Sequence, residues 1–264
     1  MPKAIYQYLE HFLESKFLIL PILTILYWAC FQIYTQNEIK DLNGFIFGIL
    51  LGLLALTASF FSLLRSYEWE FTKSYLGLSN LFISLALMCW SIGQFIYLYS
   101  SINPLYESFY DYVFVLIDPL YLVGILFIAK SLNTFKNLIS NLKIFLIPLI
   151  VFIINIFFVS LIRNEEFVKS LESFDFNLLF IFGSIILSTL VISILILSGK
   201  KIGGKFKSAL YLILLGLILQ YLADNLFEIN DVFQQNGSLS DLIFFLSILF
   251  IFNGVIRLNP RSLK

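Results

Sequence analysis

The sequence predicts an all-α polytopic membrane protein. It is read as about eight transmembrane helices in a parallel 4+4 internal repeat, with an N-terminal amphipathic helix and both termini cytoplasmic. Three observations predict this. Of the 264 residues, 59% are hydrophobic and only 13% charged, with a mean hydropathy of +0.91, whereas an ordinary soluble domain is about a quarter charged. Apolar stretches of the roughly 20 residues a helix needs to cross a bilayer recur along the whole chain. Lysine and arginine fall in alternate connections. Residues 1–264 therefore read as a single membrane domain, with nothing left over for a soluble catalytic domain.

Residues 1–16, "MPKAIYQYLEHFLESK", place Ile5, Leu9, Phe12 and Leu13 on one helical face with charges opposite. This is the pattern of an interfacial helix, not of a cleaved signal. Spans follow at 17–35, 42–64, 75–100, 110–129, 143–162, 176–198, 208–229 and 239–258. The third is long enough to tilt or protrude. Fourteen of the 17 basic residues lie in the N-terminus, the 65–74, 130–143 and 199–207 connections, and the C-terminus. The positive-inside rule puts those segments in the cytoplasm. Acidic residues, among them Glu107, Asp111, Glu165, Glu228, Asp231 and Asp241, gather toward the other side. The expected location is a prokaryotic cell membrane, and the Phe-, Ile- and Lys-rich composition suggests an AT-rich genome.

Displacing the chain by 130 residues superposes the third and fourth spans on the seventh and eighth. Ser108 meets Ser238, Asp111 meets Asp241, Phe114 meets Phe244, Leu116 meets Leu246 and Gly124 meets Gly254; Gln94 falls on Asp224 and Tyr97 on Phe227. Residues 81–126 and 211–256 share eight identities without a gap. A four-helix unit repeated in the same orientation, 17–130 and 143–258, is a parallel repeat about an axis along the membrane normal. In each unit a helix ends in polar and aromatic residues, a loop without Lys or Arg follows, and the next helix opens on an aspartate. Asp111 and Asp241 are first read as helix-terminal groups that gain roughly 0.3–1 kcal/mol from the dipole.

Several polar residues lie deeper. Asp224 is roughly 7–8 Å below the end of its span at 1.5 Å per residue, Gln94 is at a comparable depth, and Asp118, before Pro119, is near 10 Å. Helical spacing groups Trp90, Gln94, Tyr97 and Ser101; Gln220, Asp224, Glu228 and Asp231; and Asp111, Phe114, Asp118 and Tyr121. Carboxylates are costly in hydrocarbon, so these stripes should face the bundle or a wet cavity. The candidate ligand-binding residues are Gln94, Tyr97, Asp111, Asp118, Tyr121, Asp224, Asn225, Glu228 and Asp241, lining an outward-facing cavity. Interhelical hydrogen bonding is the plainer reading of Asp118 and Asp224, and an interfacial aromatic belt that of the tyrosines.

Other chemistries lack their residues. His11 is the single histidine, so Ser–His hydrolysis and paired-histidine haem ligation have no ligand set. Cys30 and Cys89 sit in apolar runs and read as small hydrophobes. "GKKIGGKF" at 199–206 has Phe206 where a phosphate loop needs Ser or Thr, and no strand precedes it. No metal, cofactor or nucleic-acid partner is expected.

The cores "WSIGQFIYLYSSINPLYESFYDYVFVLIDPLYLVGI" and "LADNLFEINDVFQQNGSLSDLIFFLSILFIFNGV" resemble an eight-span prokaryotic membrane sensor module. Such modules usually precede histidine-kinase or diguanylate-cyclase domains. Asp224, Asp111 and Asp241 fit its motifs; Gln94 stands where the first aspartate belongs, and no output domain follows Lys264. The resemblance implies a sensor that binds a small or lipidic ligand and signals through a cytoplasmic partner. The parallel repeat also fits a small-solute or proton-coupled transporter. A weaker resemblance, to eight-span lysoplasmalogenases, implies lipid hydrolysis by carboxylates, here with Asp224 and Asp118 alone. Enzymatic activity thus ranks behind binding and transport.

Overall fold

The structure is a computed structural model that describes residues 19–34, 37–100, 109–132, 142–162, 176–198, 206–229 and 239–260. The amphipathic leader with His11, the tail, and the connections carrying Ser101, Ser108, Asp231 and Ser238 lie outside them. Within a bilayer each backbone polar group must find its partner inside the protein, which leaves a helix as the only form open to these apolar runs. The described residues form α1 (Ile19–Tyr34), α2 (Asn37–Glu68), a 3₁₀ turn (Phe71–Lys73), α3 (Tyr75–Ser100), α4 (Phe109–Phe114), α5 (Ile117–Ser131), α6 (Leu142–Ile162), α7 (Phe176–Ser198), α8 (Lys207–Ile229) and α9 (Leu239–Arg257). Six stretches are long and apolar enough to cross a membrane: Phe45–Glu68, Tyr75–Ser100, Phe109–Ser131, Leu178–Leu197, Lys207–Phe227 and Leu239–Arg257. The chain is thus an all-helical, multi-pass membrane protein by length and composition. Leu146–Ile162 is a shorter apolar helix.

The third and sixth predicted spans coincide with α3 and α7. The second extends past its apolar part at both ends, because polar termini continue the helix into α2. The fourth divides into α4 and α5. Pro119 has no N–H for the Val115 carbonyl, and its ring crowds that carbonyl, so the chain turns at Val115–Leu116 before α5 begins.

Six helices pack in a closed cycle: α2 on α3, α3 on α5, α5 on α7, α7 on α8, α8 on α9 and α9 back on α2. α1 rests outside on α9, and α6 outside on α7 and α8. Small residues set the close approaches, as expected where lipid offers no hydrophobic drive for helices to associate. Between α2 and α3, Ser59 Oγ donates to Ser84 O and Ser84 Oγ to Ser59 O, each at 2.8 Å. Ser62 Oγ donates to Asn80 O at 2.8 Å, Ser66 Oγ to Gly77 O at 2.7 Å, and Ser91 Oγ to Gly52 O at 2.9 Å. These pairs march antiparallel along one seam.

Between α8 and α9 the approach is carried by Gly216 and Gly254. A Cβ on Gly216 would lie 2.8 Å from Ser247 O, and one on Gly254 would lie 2.7 Å from Ala209 O. Across α6 and α7, the buried Asn155 amide donates to Ser188 Oγ (3.0 Å) and Thr189 Oγ1 (2.9 Å).

One end of the ring is closed by the last turn of α2 and the segment that follows it. Arg65 is fully buried; it donates to Ile256 O at the end of α9 and pairs with Glu68, placing a cation at a helix C-terminus. Trp69 Nε1 donates to Leu258 O (2.8 Å), and its ring meets Phe206 edge-on. Glu70 and Phe71 take left-handed φ of 61° and 46° to turn the chain back.

Candidate ligand site

The opposite half of the ring interior holds the polar residues, and Asp118 is positioned by the break that precedes it. It stands in the first turn of α5, where the helix dipole favours negative charge. Its carboxyl lies against α7 at Gly183: a Cβ there would sit 3.0 Å from Asp118 Oδ2 and 3.2 Å from Asp118 Cβ. Any other residue at 183 would press on the carboxyl. Tyr121, one turn further along α5, is fully buried, and its hydroxyl has no hydrogen-bond partner among the described residues. That hydroxyl is within electrostatic reach of Asp118, of Asp224 on α8 and of Cys89 on α3. Three helices of the ring thus bring an orphaned hydroxyl, two carboxylates and a thiol together.

Neighbouring groups on α8 are similarly unsatisfied. Gln220, one turn from Asp224, is buried with Oε1 unpartnered among the described residues. Asn225 donates to Tyr221 O (2.7 Å), while its Oδ1 is likewise without a partner among the described residues.

Between this group and the end of the bundle that carries Tyr97 lies an aromatic layer. Trp90 on α3 meets Phe114 on α4 (centroids 6.3 Å apart) and Phe244 on α9 (5.7 Å). The second contact joins helices that are not neighbours in the ring, so it fills the interior. Beyond the layer, Tyr97 packs edge-on against Tyr110 (5.2 Å) and lies within electrostatic reach of Asp241. The half-buried Asp111 occupies the first turn of α4, as Asp241 does in α9.

The nine predicted residues therefore separate. Asp118, Tyr121 and Asp224 come together. Tyr97 and Asp241 form a second group nearer the helix ends. Gln94 turns instead toward α2, where a Cβ on Gly48 would lie 3.1 Å from its Nε2. The side chain of Glu228 lies outside the described residues. Cys89, Gly183 and Gln220 join the deep group without having been singled out as site residues. Gln220 had a signal in the sequence, one turn from Asp224; Cys89 and Gly183 had none, because they approach from other helices.

Chemically, the arrangement can accept hydrogen bonds, hold protons and neutralise positive charge. Among the described residues, no three His, Cys, Asp or Glu side chains are grouped as a metal site would require. No protein-family model matches the chain, and comparisons with curated proteins and with solved structures found no match.

Proposed function

We propose that this protein is a membrane-embedded binding module, sensor-like in design. It takes a small or lipidic ligand at Asp118, Tyr121 and Asp224 and passes the change in helix packing to a cytoplasmic partner. The observation that carries this reading is the fully buried Tyr121 hydroxyl, unpartnered among the described residues and within reach of carboxylates from two helices. A buried polar group left unmatched costs roughly 1–3 kcal/mol. Such a cost is recovered when a ligand supplies the missing bond.

In this reading the chain has eight spans in two parallel four-helix units, with both termini and the Arg65 end of the ring cytoplasmic. A pair of matched contacts supports the repeat. A Cβ on Gly124 would meet Ile83 Cγ1, Ser79 O and Ile83 N, and a Cβ on Gly254 would meet Ile213 Cγ1, Ala209 O and Ile213 N. Each residue of the second set stands 130 positions after its counterpart in the first. The site opens toward the Tyr97 end, with the Trp90–Phe114–Phe244 layer as its gate.

The test is ligand-dependent thermal stabilisation of the purified protein in nanodiscs, screened against lipid and metabolite extracts. Extract components should stabilise the wild type and fail to stabilise Tyr121→Phe and Asp224→Asn. Stabilisation that survives both substitutions contradicts the assignment. The deep carboxylate pair also favours a second reading, proton-coupled transport. Solute uptake into proteoliposomes that vanishes in Asp224→Asn would replace sensing with transport.

A further inference from the structure

We infer that α4 is a hinged gate: it turns about Val115–Leu116, and Phe114 is the moving leaf that admits ligand to the Asp118–Tyr121–Asp224 group. This rests on the binding reading above. It adds how the site opens and which side chain limits the size of what enters.

The two phenylalanines of the aromatic layer stand on unlike supports. Phe114 and Phe244 lie 130 positions apart, and both meet Trp90. Phe244 belongs to α9, which runs unbroken from Leu239 to Arg257. Leu249 stands there at the offset of Pro119, and a leucine has the N–H that a helical ladder needs. The adjacent Phe245 packs on Phe47 of α2 (5.6 Å). Phe244 is thus the fixed side. Phe114 is instead the last residue of a six-residue helix. Beyond it the ladder changes: Val115 N–H donates to Asp111 O (3.0 Å), but Leu116 N–H donates only three residues back, to Val113 O (3.2 Å). Pro119 has no N–H to offer Val115 O. Hinges are a few residues at the ends of elements that absorb a change in φ and ψ. Rotation at Val115–Leu116 moves α4 and leaves α5, with Asp118 and Tyr121, in place.

The closed position has a seat. Trp90, Gly93 and Tyr97 share one face of α3 by helical spacing. A Cβ on Gly93 would lie 2.5 Å from Phe114 Cε1, 2.7 Å from Cδ1 and 3.0 Å from Cζ. The Phe114 ring therefore rests on bare backbone, and any side chain at 93 would push it off. Tyr110, one turn earlier on α4, meets Phe114 (6.1 Å) and Tyr97 (5.2 Å) edge-on. Edge-to-face pairs of this kind are favourable but modest, so the seat can be left and retaken. Asp118 follows Phe114 by four residues, so displacing the ring uncovers the deep group from the Tyr97 end.

The experiment follows a reporter thiol behind the gate, in the full chain without ligand in nanodiscs. Cys30→Ser and Cys89→Ser remove both native thiols, and Asp118→Cys supplies the reporter. Its rate of modification by a charged, membrane-impermeant methanethiosulfonate reads the population of the open form, because a shielded group reacts only when uncovered. Gly93→Ala and Phe114→Ala should each raise that rate about tenfold. Leu116, which is 52% exposed, tests the hinge itself: Leu116→Gly loosens the turn, leaves every side chain of the layer in place, and should raise the rate about threefold. Pro119→Leu, which copies Leu249, should lower it about as much. If Phe114→Ala reacts fast while both hinge variants keep the unsubstituted rate, Phe114 is a fixed plug and the inference is overturned. A rate indifferent to all four substitutions overturns it as well. The binding reading fails separately: extract stabilisation that survives Tyr121→Phe removes that reading and leaves the hinge, whereas unchanged thiol rates remove the hinge and leave binding.

Discussion

The α2–α3 seam and the α5–α8 interior are both polar zones inside an apolar ring, but they are finished differently. Along the seam, Ser59, Ser62, Ser66, Ser84 and Ser91 each donate to a carbonyl across the interface at 2.7–2.9 Å. Ser79 Oγ and Asn80 Oδ1 on α3 stay unpartnered among the described residues, but no described carboxylate is placed beside them. In the interior, Tyr121, Gln220 and Asn225 keep polar atoms unsatisfied among the described residues, on the helices that carry Asp118 and Asp224. Matched polar groups hold helices together; unmatched ones, beside carboxylates, await something else. A buried hydroxyl thus says little until its partner is known, and the difference makes the two regions respond oppositely to the loss of a polar atom.

The largest effect is expected where backbone meets backbone beside the seam. Gly77→Val would drive a Cβ to 2.3 Å from Phe71 O and 2.8 Å from Trp69 O. Overpacking of this kind costs about 3 kcal/mol or more, so the variant should unfold at markedly lower SDS fraction or fail to accumulate. Next comes Asn155→Ala, which removes two buried bonds between α6 and α7; it should cost about 1–2 kcal/mol in the same assay. The result would place α6 with the matched, structural class.

Ser84→Ala removes one donor from the reciprocal pair with Ser59 and should cost about 0.6 kcal/mol, the usual worth of an interhelical bond in a membrane. Tyr121→Phe sharpens the contrast most, with the opposite sign. It deletes an orphaned hydroxyl at nearly constant volume, so the ligand-free protein should be unchanged or stabilised by up to about 1 kcal/mol. Its ligand response should be lost.

Much of the architecture was legible in the sequence because membrane helices announce themselves by length and hydropathy. The bounds of α3 and α7 follow from flanking polar residues alone. The break between α4 and α5 was implicit in Pro119, whose missing donor acts four residues upstream, and the long polar ends of α2 were invisible to a hydropathy argument. For the site, helical spacing put Asp118 and Tyr121 on one stripe and marked Asp224 as too deep to stand alone. What spacing cannot supply is which helices are neighbours. Gln94 corresponds to Asp224 at the 130-residue offset, yet it turns toward Gly48 on α2, while Gly183 and Cys89 reach the deep group from α7 and α3. Arg65 looked like an ordinary member of a positive connection; its full burial against Ile256 O depends on the C-terminal end of α9, far along the chain.

The central claim is that the Asp118–Tyr121–Asp224 group is a binding site and not a packing element. The most direct measurement is the unfolding free energy of wild type and Tyr121→Phe in nanodiscs, each with and without a saturating stabiliser found in the extract screen. Tyr121→Phe should equal or exceed wild type without ligand, and only wild type should gain on its addition. A Tyr121→Phe protein destabilised by about 1 kcal/mol or more without ligand, and then gaining as much from it as wild type, would show the hydroxyl to be structural and would contradict the claim.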